Sequence, residues 1–222
     1  GLAFMNSMLV KYCQYAKYEN VRVTIPRTVV VATDYFDAFI RNNGLEYVLT
    51  TEMTDEEILS EFVSSTLPYK LREALKAYVR TVSGPLAVRS SSKLEDSHYQ
   101  PFAGIYSTYM IPYTEGNEDR QLRLLQKAIK SVYASTYFAA SKAYVQSSQN
   151  LIAEEKMAVV IQEVCGTEQD GLFFPTLSGV ARSINYYPIG DETPEEGVCN
   201  IALGLGKLVV DGGRTLRFSP RH

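Results

Sequence analysis

Residues 85–97 read PLAVRSSSKLEDS, and this stretch decides how the rest of the chain is interpreted. The apolar run Leu86–Val88 follows a Ser-Gly-Pro break, which predicts a buried strand that ends at Val88. Arg89 and three serines come directly after it. A guanidinium at a strand end can grip a phosphate with its fork of donors, while hydroxyl and N–H groups line the following loop. The same residues also allow a surface loop in which Arg89 pairs with Glu95 or Asp96.

The chain before this stretch predicts mainly helices. Thr54 and Glu57 form a capping box, in which a hydroxyl and a carboxylate three residues apart cap one helix start. Gly44 supplies the left-handed residue that ends a helix capped by Thr33 or Asp34. The predicted elements outside the central stretch and before residue 150 are a helix over Leu2–Tyr15, a strand over Thr28–Thr33, helices over Tyr35–Asn42 and up to Ser65, a helix that starts at Pro68, and one long or two joined helices over Asp119–Gln149.

After Glu155 the pattern changes to strands. Asp211-Gly212-Gly213 lies between two apolar runs, which predicts a hairpin. The predicted strands are Met157–Val164, Gly179–Tyr187, Val198–Leu203, Lys207–Val210 and Thr215–Phe218. Helices that mostly precede strands indicate an α+β fold. We expect two lobes, a helix-rich one over about residues 1–150 and a strand-rich one over 151–222.

Composition excludes several classes of protein. The 222 residues carry 22 Lys and Arg against 25 Asp and Glu, so a net charge of −3 disfavours nucleic-acid binding through bulk charge. Sixteen tyrosines do not alternate with basic residues, which gives no pattern for base stacking. No apolar run approaches the roughly 20 residues of a membrane span. Three separated cysteines without a CxxC pair are typical of reduced thiols in a cytoplasmic protein.

Two histidines cannot build a histidine metal cluster, and no residue of this chain is predicted as a metal ligand. His98, the internal histidine, is interpreted as a solvated loop residue. The acidic run 191–197 contains proline and glycine, so it is interpreted as a solvated turn rather than a cation site.

The stretch 85–97, followed by FAGIYST at 102–108, closely resembles the nucleotide-binding signature of the phosphoenolpyruvate synthase and pyruvate phosphate dikinase family. Three further blocks resemble that family and occur in its order. They are the apolar strand Met157–Val164, the Ser-Gly-Val start at 178–180 and the Gly-Leu-Gly turn at 204–206. Each block is weak alone, but the set is specific.

The resemblance implies an ATP-grasp-like fold in which two lobes clasp Mg-ATP. It also implies that ATP phosphorylates a histidine on a separate domain, which passes the phosphoryl group to pyruvate and yields phosphoenolpyruvate, AMP and phosphate. By the same resemblance Arg89 is the catalytic residue and clamps the polyphosphate. The other implied nucleotide-binding residues are Ser90 and Ser91 at the phosphates, Gly104 in a loop over them, Gln162, Glu163 and Val164 at the adenine hinge, and Gly179 and Arg182 on the second lobe.

Purely structural roles also explain several of these residues. The segment 162–164 also fits a core strand with a polar end, and the glycines also fit ordinary turns. Lys207 stands where the family typically has an acidic residue, and Arg182 stands in a segment that departs from the family pattern. Arg182 therefore either brings charge to the phosphates or faces solvent.

We expect residues 1–222 to form a single, incomplete ATP-grasp-like domain, truncated at both ends. The family's phosphate-contacting lysine and its magnesium ligands would then lie outside this chain, and the isolated fragment would be inactive. Expected partners are ATP and the phosphohistidine and pyruvate-binding domains of the full-length protein. Two alternatives remain: a related dikinase or small-molecule phosphotransferase with another acceptor, and a non-catalytic regulatory module of the same fold.

Overall fold

The computed structural model describes residues 2–12, 18–92, 106–147, 156–210 and 213–220. The chain divides into two compact units, Gly1–Val164 and Cys165–His222. Helices and antiparallel sheets both contribute, so the fold class is α+β as predicted. The boundary follows Val164, and the strand Met157–Glu163 therefore belongs to the first unit, although the sequence grouped it with the later strands.

The first unit contains six α-helices and four strands in its described part. In chain order they are α1 (Leu2–Lys11), β1 (Thr28–Val31), α2 (Thr33–Asn43), a 3-10 helix (Leu45–Leu49), α3 (Asp55–Ser64), α4 (Tyr69–Val79), β2 (Leu86–Ser92), β3 (Tyr109–Ile111), α5 (Glu118–Ser135), α6 (Ala139–Ser147) and β4 (Met157–Glu163).

The four strands form one antiparallel sheet in the order β1-β4-β2-β3. Helices α2 and α5 pack on one face of the sheet, and α3 and α4 pack against α5. The core between these layers is aromatic at its centre, where Phe39 lies 5.7 Å from Phe62 and 5.5 Å from Tyr133 between ring centroids. Burying such large side chains supplies most of the stabilisation of a unit of this size.

Two of the predicted helix boundaries are confirmed and one is wrong. Gly44 ends α2 in the left-handed conformation with φ 60°. The capping box opens α3, because the Glu57 N–H donates to Thr54 Oγ1 at 3.2 Å and the Thr54 N–H donates to Glu57 Oε2 at 2.8 Å. Neither Thr33 nor Asp34 caps α2, since the cap position is Ala32, without a side-chain hydrogen bond, and both residues already lie in the helix.

The prediction of one long or two joined helices after residue 118 is confirmed as two. Helix α5 ends at Ser135 and α6 begins at Ala139, while Gln149 lies outside the described residues. Helix α1 is also confirmed over its described part, but none of its residues is buried. No described helix has both the length and the apolar character needed to cross a membrane.

The second unit consists of short strands and turns in its described part. Its elements are β5 (Thr167–Gln169), β6 (Leu172–Phe174), β7 (Leu177–Arg182), a 3-10 helix (Pro194–Glu196), β8 (Val198–Leu203), α7 (Lys207–Val210) and β9 (Leu216–Phe218). β5 pairs with β6, and a separate antiparallel sheet has the order β7-β8-β9. Strand β7 ends at Arg182, five residues earlier than Tyr187, the predicted end.

The predicted hairpin around Asp211-Gly212-Gly213 is wrong. Lys207–Val210 forms a helical turn, in which the Val209 N–H donates to the Gly206 carbonyl at 3.0 Å. β9 pairs with β8 instead, and Asp211 and Gly212 lie outside the described residues. A run of only three apolar residues, Leu208–Val210, fits a helix as well as a strand, so the local pattern did not distinguish them.

The acidic run 191–197 is more ordered than a solvated turn. Arg217 holds Glu192 with two guanidinium hydrogen bonds of 3.0 and 2.8 Å, and the Asn185 side-chain amide donates to the same carboxylate at 2.9 Å. The hydrogen bonds from Arg217, followed by that from the Ile189 N–H, lower the pKa of Glu192 to about 2. Glu192 therefore remains charged and ties the loop to β9.

Candidate functional site

The face of the four-stranded sheet opposite α2 and α5 is called the open face here. Strand register shows which side chains share it, because directly paired residues in antiparallel strands point to the same side. Val30, Val160 and Arg89 form one row across β1, β4 and β2. The next row consists of Thr28, Gln162, Ala87 and Met110.

Side-chain exposure confirms the two-sided character of the sheet. Val30 is 62% exposed and Met110 is 55% exposed, whereas Val88 and Val159 on the helix side are fully buried. Several apolar side chains are thus presented to the surroundings on an otherwise well-packed sheet. These exposed side chains give the open face apolar surface that a ligand could cover.

Arg89 lies within β2 and not at its end, which corrects the predicted strand boundary. β4 runs beside β2 through the pair Ser92 and Met157, so the ladder extends four residues beyond Val88. Alternation places Arg89 and Ser91 on the open face and Ser90 on the helix side. Arg89 is exposed, and no carboxylate in the described part of the chain forms an ion pair with it.

The predicted hinge residues divide between the two faces. Gln162 belongs to the open face, where its Nε2 donates to Thr28 Oγ1 at 2.9 Å. Glu163 points to the helix side, 3.5 Å from the Arg27 guanidinium. Burial, and then the negative charge of Glu163, raise the pKa of Tyr78 to about 12. The Glu163 carboxylate therefore faces α4 and not the open face.

The main-chain N–H groups of Glu163 and Val164 already donate hydrogen bonds to neighbouring main-chain carbonyls. The Glu163 N–H donates to the Arg27 carbonyl at 3.0 Å, and the Val164 N–H donates to the Pro85 carbonyl at 2.9 Å. A carbonyl oxygen has two lone pairs and can accept a second hydrogen bond. Any main-chain recognition of a ligand by these two residues therefore falls to their carbonyl groups.

Gly179 and Arg182 both lie on β7 in the second unit. A Cβ atom on Gly179 would lie 2.6 Å from the Asn200 carbonyl oxygen and 2.7 Å from Ile201 Cγ2. Close cross-strand packing alone therefore requires a glycine at this position. Arg182 is exposed at the end of the strand, paired through its backbone with Val198.

The Gly-Leu-Gly turn is tied to the start of β7. Ser178 Oγ donates to the Gly204 carbonyl at 2.6 Å, and Gly204 adopts φ 73°. The structure thus brings together two motifs that are 26 residues apart in sequence. Gly104 and His98 lie outside the described residues, as do the candidate partners Glu95 and Asp96.

The exposed apolar residues that accompany Arg89 on the open face were not identified from sequence, whereas Ser91 and Gln162 were. Val30, Val160 and Met110 are apolar, and so are their neighbours on the buried side, so hydropathy does not separate the two faces of these strands. The available signal is Arg89 itself, because a charged residue within a strand marks the face that is not buried. In the described residues no group of three His, Cys, Asp or Glu side chains is placed to hold a metal ion.

Comparison with known proteins identifies the class of this domain. Residues 6–217 match the family model described as pyruvate phosphate dikinase, AMP/ATP-binding domain. The chain is thus a nucleotide-binding domain of a phosphotransferase family. It belongs to the pyruvate phosphate dikinase AMP/ATP-binding family, which confirms the resemblance seen in the motifs.

Two curated relatives are similar over most of the chain. One, from Bacillus subtilis (strain 168), is named uncharacterized phosphotransferase YvkC and is 31% identical over 198 residues, or 86% of this chain and 20% of the relative. The other is phosphoenolpyruvate synthase of Aeropyrum pernix, 27% identical over 212 residues, or 86% of this chain and 24% of the relative. The chain therefore spans about a fifth to a quarter of their length.

Proposed function

We propose that this chain is the ATP-binding part of a phosphoenolpyruvate synthase-like phosphotransferase with an ATP-grasp-like fold. In the full-length protein ATP phosphorylates a histidine on a separate domain. The phosphohistidine then transfers its phosphoryl group to pyruvate, and the overall products are phosphoenolpyruvate, AMP and phosphate. Family membership and the similarity to a named phosphoenolpyruvate synthase support this proposal.

The observation that carries the proposal is the exposed Arg89 in the middle of the open face. A guanidinium stays charged at any physiological pH and presents five N–H donors in a planar fork. Placed against a polyphosphate, Arg89 would hold the phosphate oxygens and stabilise the charge that develops on the transferred group. Ser91, on the same face, lies two residues further along β2 and would contribute a hydroxyl donor.

The apolar part of the open face suits the nucleotide base. Val30 and Val160 lie in the same row as Arg89, and Met110 lies in the adjacent row. These side chains would pack against the adenine ring, as apolar residues do in most cofactor sites. The amino group of adenine would donate to a free lone pair on a carbonyl of the hinge 162–164, since the N–H groups there have partners.

The remaining predicted site residues take different places in this proposal. Gly179 would allow β7 to pack closely beside β8, and Arg182 would supply positive charge on the second unit. Gly104 would belong to a loop that covers the phosphates. Ser90 faces the helix side, so we assign the phosphate contact on β2 to Ser91.

Magnesium enters as the usual companion of ATP. When bound, it neutralises negative charge on the polyphosphate. The described residues offer no cluster of metal-ligating side chains, so we assign no magnesium ligand to them. The charge stabilisation that this chain itself provides comes from Arg89.

A second candidate function keeps the ATP chemistry but changes the acceptor. The Bacillus subtilis relative, at 31% identity, is named only a phosphotransferase, and its identity exceeds the 27% of the synthase. The residues described here contact the proposed nucleotide and not the acceptor. Both functions are therefore compatible with the same open face.

The test is AMP formation from Mg-ATP by the full-length protein that contains this chain, with and without pyruvate. Pyruvate-dependent AMP release is expected for the synthase, and AMP release that requires another acceptor would select the second candidate. Absence of AMP formation under all conditions would overturn both.

The same assay tests Arg89. We expect Arg89→Ala to lower AMP formation by about a thousandfold or more, the size of effect that an arginine has on phosphoryl transfer. The control is Arg123→Ala, which removes an exposed arginine from α5 on the other side of the sheet. Unchanged turnover in a folded Arg89→Ala protein would refute the role of Arg89.

A further inference from the structure

Thr28 and Gln162 belong to a short chain of hydrogen bonds on the open face. The Thr28 hydroxyl donates to the Pro26 carbonyl at 2.9 Å, and Gln162 Nε2 donates to Thr28 Oγ1, also at 2.9 Å. The two residues are directly paired across β1 and β4, although 134 positions separate them in the sequence. Thr28 was not identified from the sequence, because only the strand register brings it to Gln162.

Pro26 fixes the direction of these hydrogen bonds. A carbonyl oxygen can only accept, so the Thr28 hydroxyl donates its single proton to Pro26 and offers only lone pairs to Gln162. The Gln162 side chain must therefore turn its amide nitrogen towards Thr28, and its amide oxygen points away. The reversed amide would place two acceptors opposite each other. Thr28 thus selects one of the two orientations of the Gln162 amide.

The Gln162 amide oxygen is an acceptor that a ligand can use. Gln162 is half-buried, and its Oε1 has no hydrogen-bond donor among the residues that the structure describes. Its neighbour in the same row on β2 is Ala87, which has no polar side-chain group. Val160 lies on the same face two residues earlier on β4, about 7 Å along the strand. A free acceptor therefore adjoins the apolar part of the open face, where the base is proposed to pack.

An acceptor at this position distinguishes one purine base from another. Adenine carries an amino group at position 6, which donates, whereas guanine carries a carbonyl oxygen there, which accepts. The amino group has two N–H bonds, so it can donate to a hinge carbonyl and to Gln162 Oε1 together. A 6-carbonyl would face Oε1 with no proton between the two oxygens. Turning the amide to avoid this would break its hydrogen bond to Thr28 and leave two acceptors opposed there.

We infer that Thr28 is a positioning residue that makes the proposed nucleotide site specific for a 6-aminopurine, because it holds Gln162 Oε1 towards the base. Gln162 contacts the amino group, and Thr28 acts through Gln162. This inference rests on the proposed function, since it uses the nucleotide site on the open face. It adds to that function the class of base that is accepted and the pair of residues that selects it.

The experiment compares ATP with inosine triphosphate, in which a carbonyl replaces the 6-amino group, as substrates of the full-length protein that contains this chain. The readout is kcat/KM for nucleoside monophosphate formation, and specificity is the ratio of the ATP value to the inosine triphosphate value. We expect Thr28→Val, which removes the hydroxyl at similar volume, to lower this ratio about threefold to tenfold, the effect of one hydrogen bond. The change should come chiefly from a lower KM for inosine triphosphate, because the released amide can turn Nε2 towards the 6-carbonyl.

Two control variants separate positioning from a purely structural role. Thr28→Ser keeps the hydroxyl and should retain the ratio of the unmodified protein. Thr24→Val makes the same change as Thr28→Val at an exposed residue before β1, and it should also retain the ratio. A structural defect would lower kcat/KM for both nucleotides alike. If Thr28→Val fails to fold, Gln162→Leu removes the acceptor itself and should lower the ratio by reducing the use of ATP.

Other outcomes overturn the inference. An unchanged ratio in folded Thr28→Val or Gln162→Leu protein, with AMP still formed from ATP, would refute the specificity role and leave the proposed function intact. A ratio near one in the unmodified protein would show that position 6 of the base is not recognised. Absence of monophosphate formation from either nucleotide with any acceptor would overturn the proposed function and this inference with it.

Discussion

The two main sheets of this protein are both antiparallel, yet different interactions hold them together. The sheet of the first unit has one face covered by helices and a continuous aromatic and aliphatic core beneath it. The unit that contains the β7-β8-β9 sheet has few buried side chains in its described part, among them Val198 and Ala202 on β8 and Asn185 in the loop after β7. The loop between β7 and β8 is held to β9 instead by the ion pair between Glu192 and Arg217.

This difference predicts which substitutions destabilise each unit. A hydrophobic core depends on volume, so removing large buried groups should affect the first unit most. A sheet with a small core depends on close backbone contacts and charge-assisted hydrogen bonds, so added volume or a lost charge should affect the second unit most. The following substitutions test this contrast.

The largest effect on stability is expected from Phe62→Ala. Phe62 is fully buried and packs against Phe39 and Tyr137, so truncation should destabilise the first unit by about 3–5 kcal/mol. Hydrogen exchange should accelerate in β2 and β4 and stay unchanged in β7 and β8. Phe4→Ala, which makes the same truncation on the exposed surface of α1, should change stability by no more than about 0.5 kcal/mol. Equal acceleration in both sheets would mean that the units share one core.

A smaller effect is expected from Gly179→Ala. The new Cβ would lie 2.6 Å from the Asn200 carbonyl oxygen, so β7 and β8 must separate. We expect a loss of about 1–3 kcal/mol, confined to the second unit and measured by hydrogen exchange of β8 amides. Gly84→Ala serves as control, because nothing lies within 4 Å of a Cβ there. Unchanged hydrogen exchange of the β8 amides in Gly179→Ala would contradict close packing of β7 and β8 at this position.

The smallest expected effect is that of Glu192→Gln, which should change how the stability of the second unit depends on pH. The pKa of Glu192 is lowered in the folded chain to about 2 from an ordinary value of 4.5. Its carboxylate therefore stabilises the fold above about pH 4.5, and this contribution is lost as the pH falls towards 2. The free energy of unfolding of the second unit, measured by denaturant titration at several pH values, should fall between about pH 4.5 and 2 in the unmodified chain. This dependence on pH should be absent in Glu192→Gln.

Glu195→Gln is the matched control for that pH dependence. Glu195 is an exposed carboxylate in the same acidic run, so its replacement should leave the slope unchanged. If Glu192→Gln retained the full slope, another carboxylate would be responsible, and the network around Arg217 would not stabilise the unit as described.

Local turn and cap chemistry explains what the sequence predicted correctly about the fold. Gly44 and the Thr54–Glu57 capping box act within a few residues, so the pattern alone specified them. The end of β2 depends on β4, which is more than sixty residues away, and local patterning placed it too early. The predicted strand after Gly206 is wrong because short apolar runs suit either a helix or a strand.

The candidate site follows the same rule. Arg89 was identified because a polar run after an apolar strand is visible in sequence. Val160 and Val30 join it only through the register of three strands, and their apolar side chains resemble those on the buried face. Gln162 and Glu163 point to opposite faces because they are neighbours on one strand, but which of them shares a face with Arg89 required the register of β4 against β2.

The most direct test of the proposed nucleotide site is methyl NMR of the 222-residue chain titrated with Mg-ATP to millimolar concentrations. Val30, Val160 and Met110 lie on the open face, whereas Val31, Val159 and Ile111 follow or precede them on the same strands and face the helices. We predict saturable shifts of the open-face methyl groups that exceed those of their buried neighbours, and their loss in Arg89→Ala. Saturable shifts confined to other regions, with the open-face methyl groups unmoved, would contradict the assignment of this face to the nucleotide.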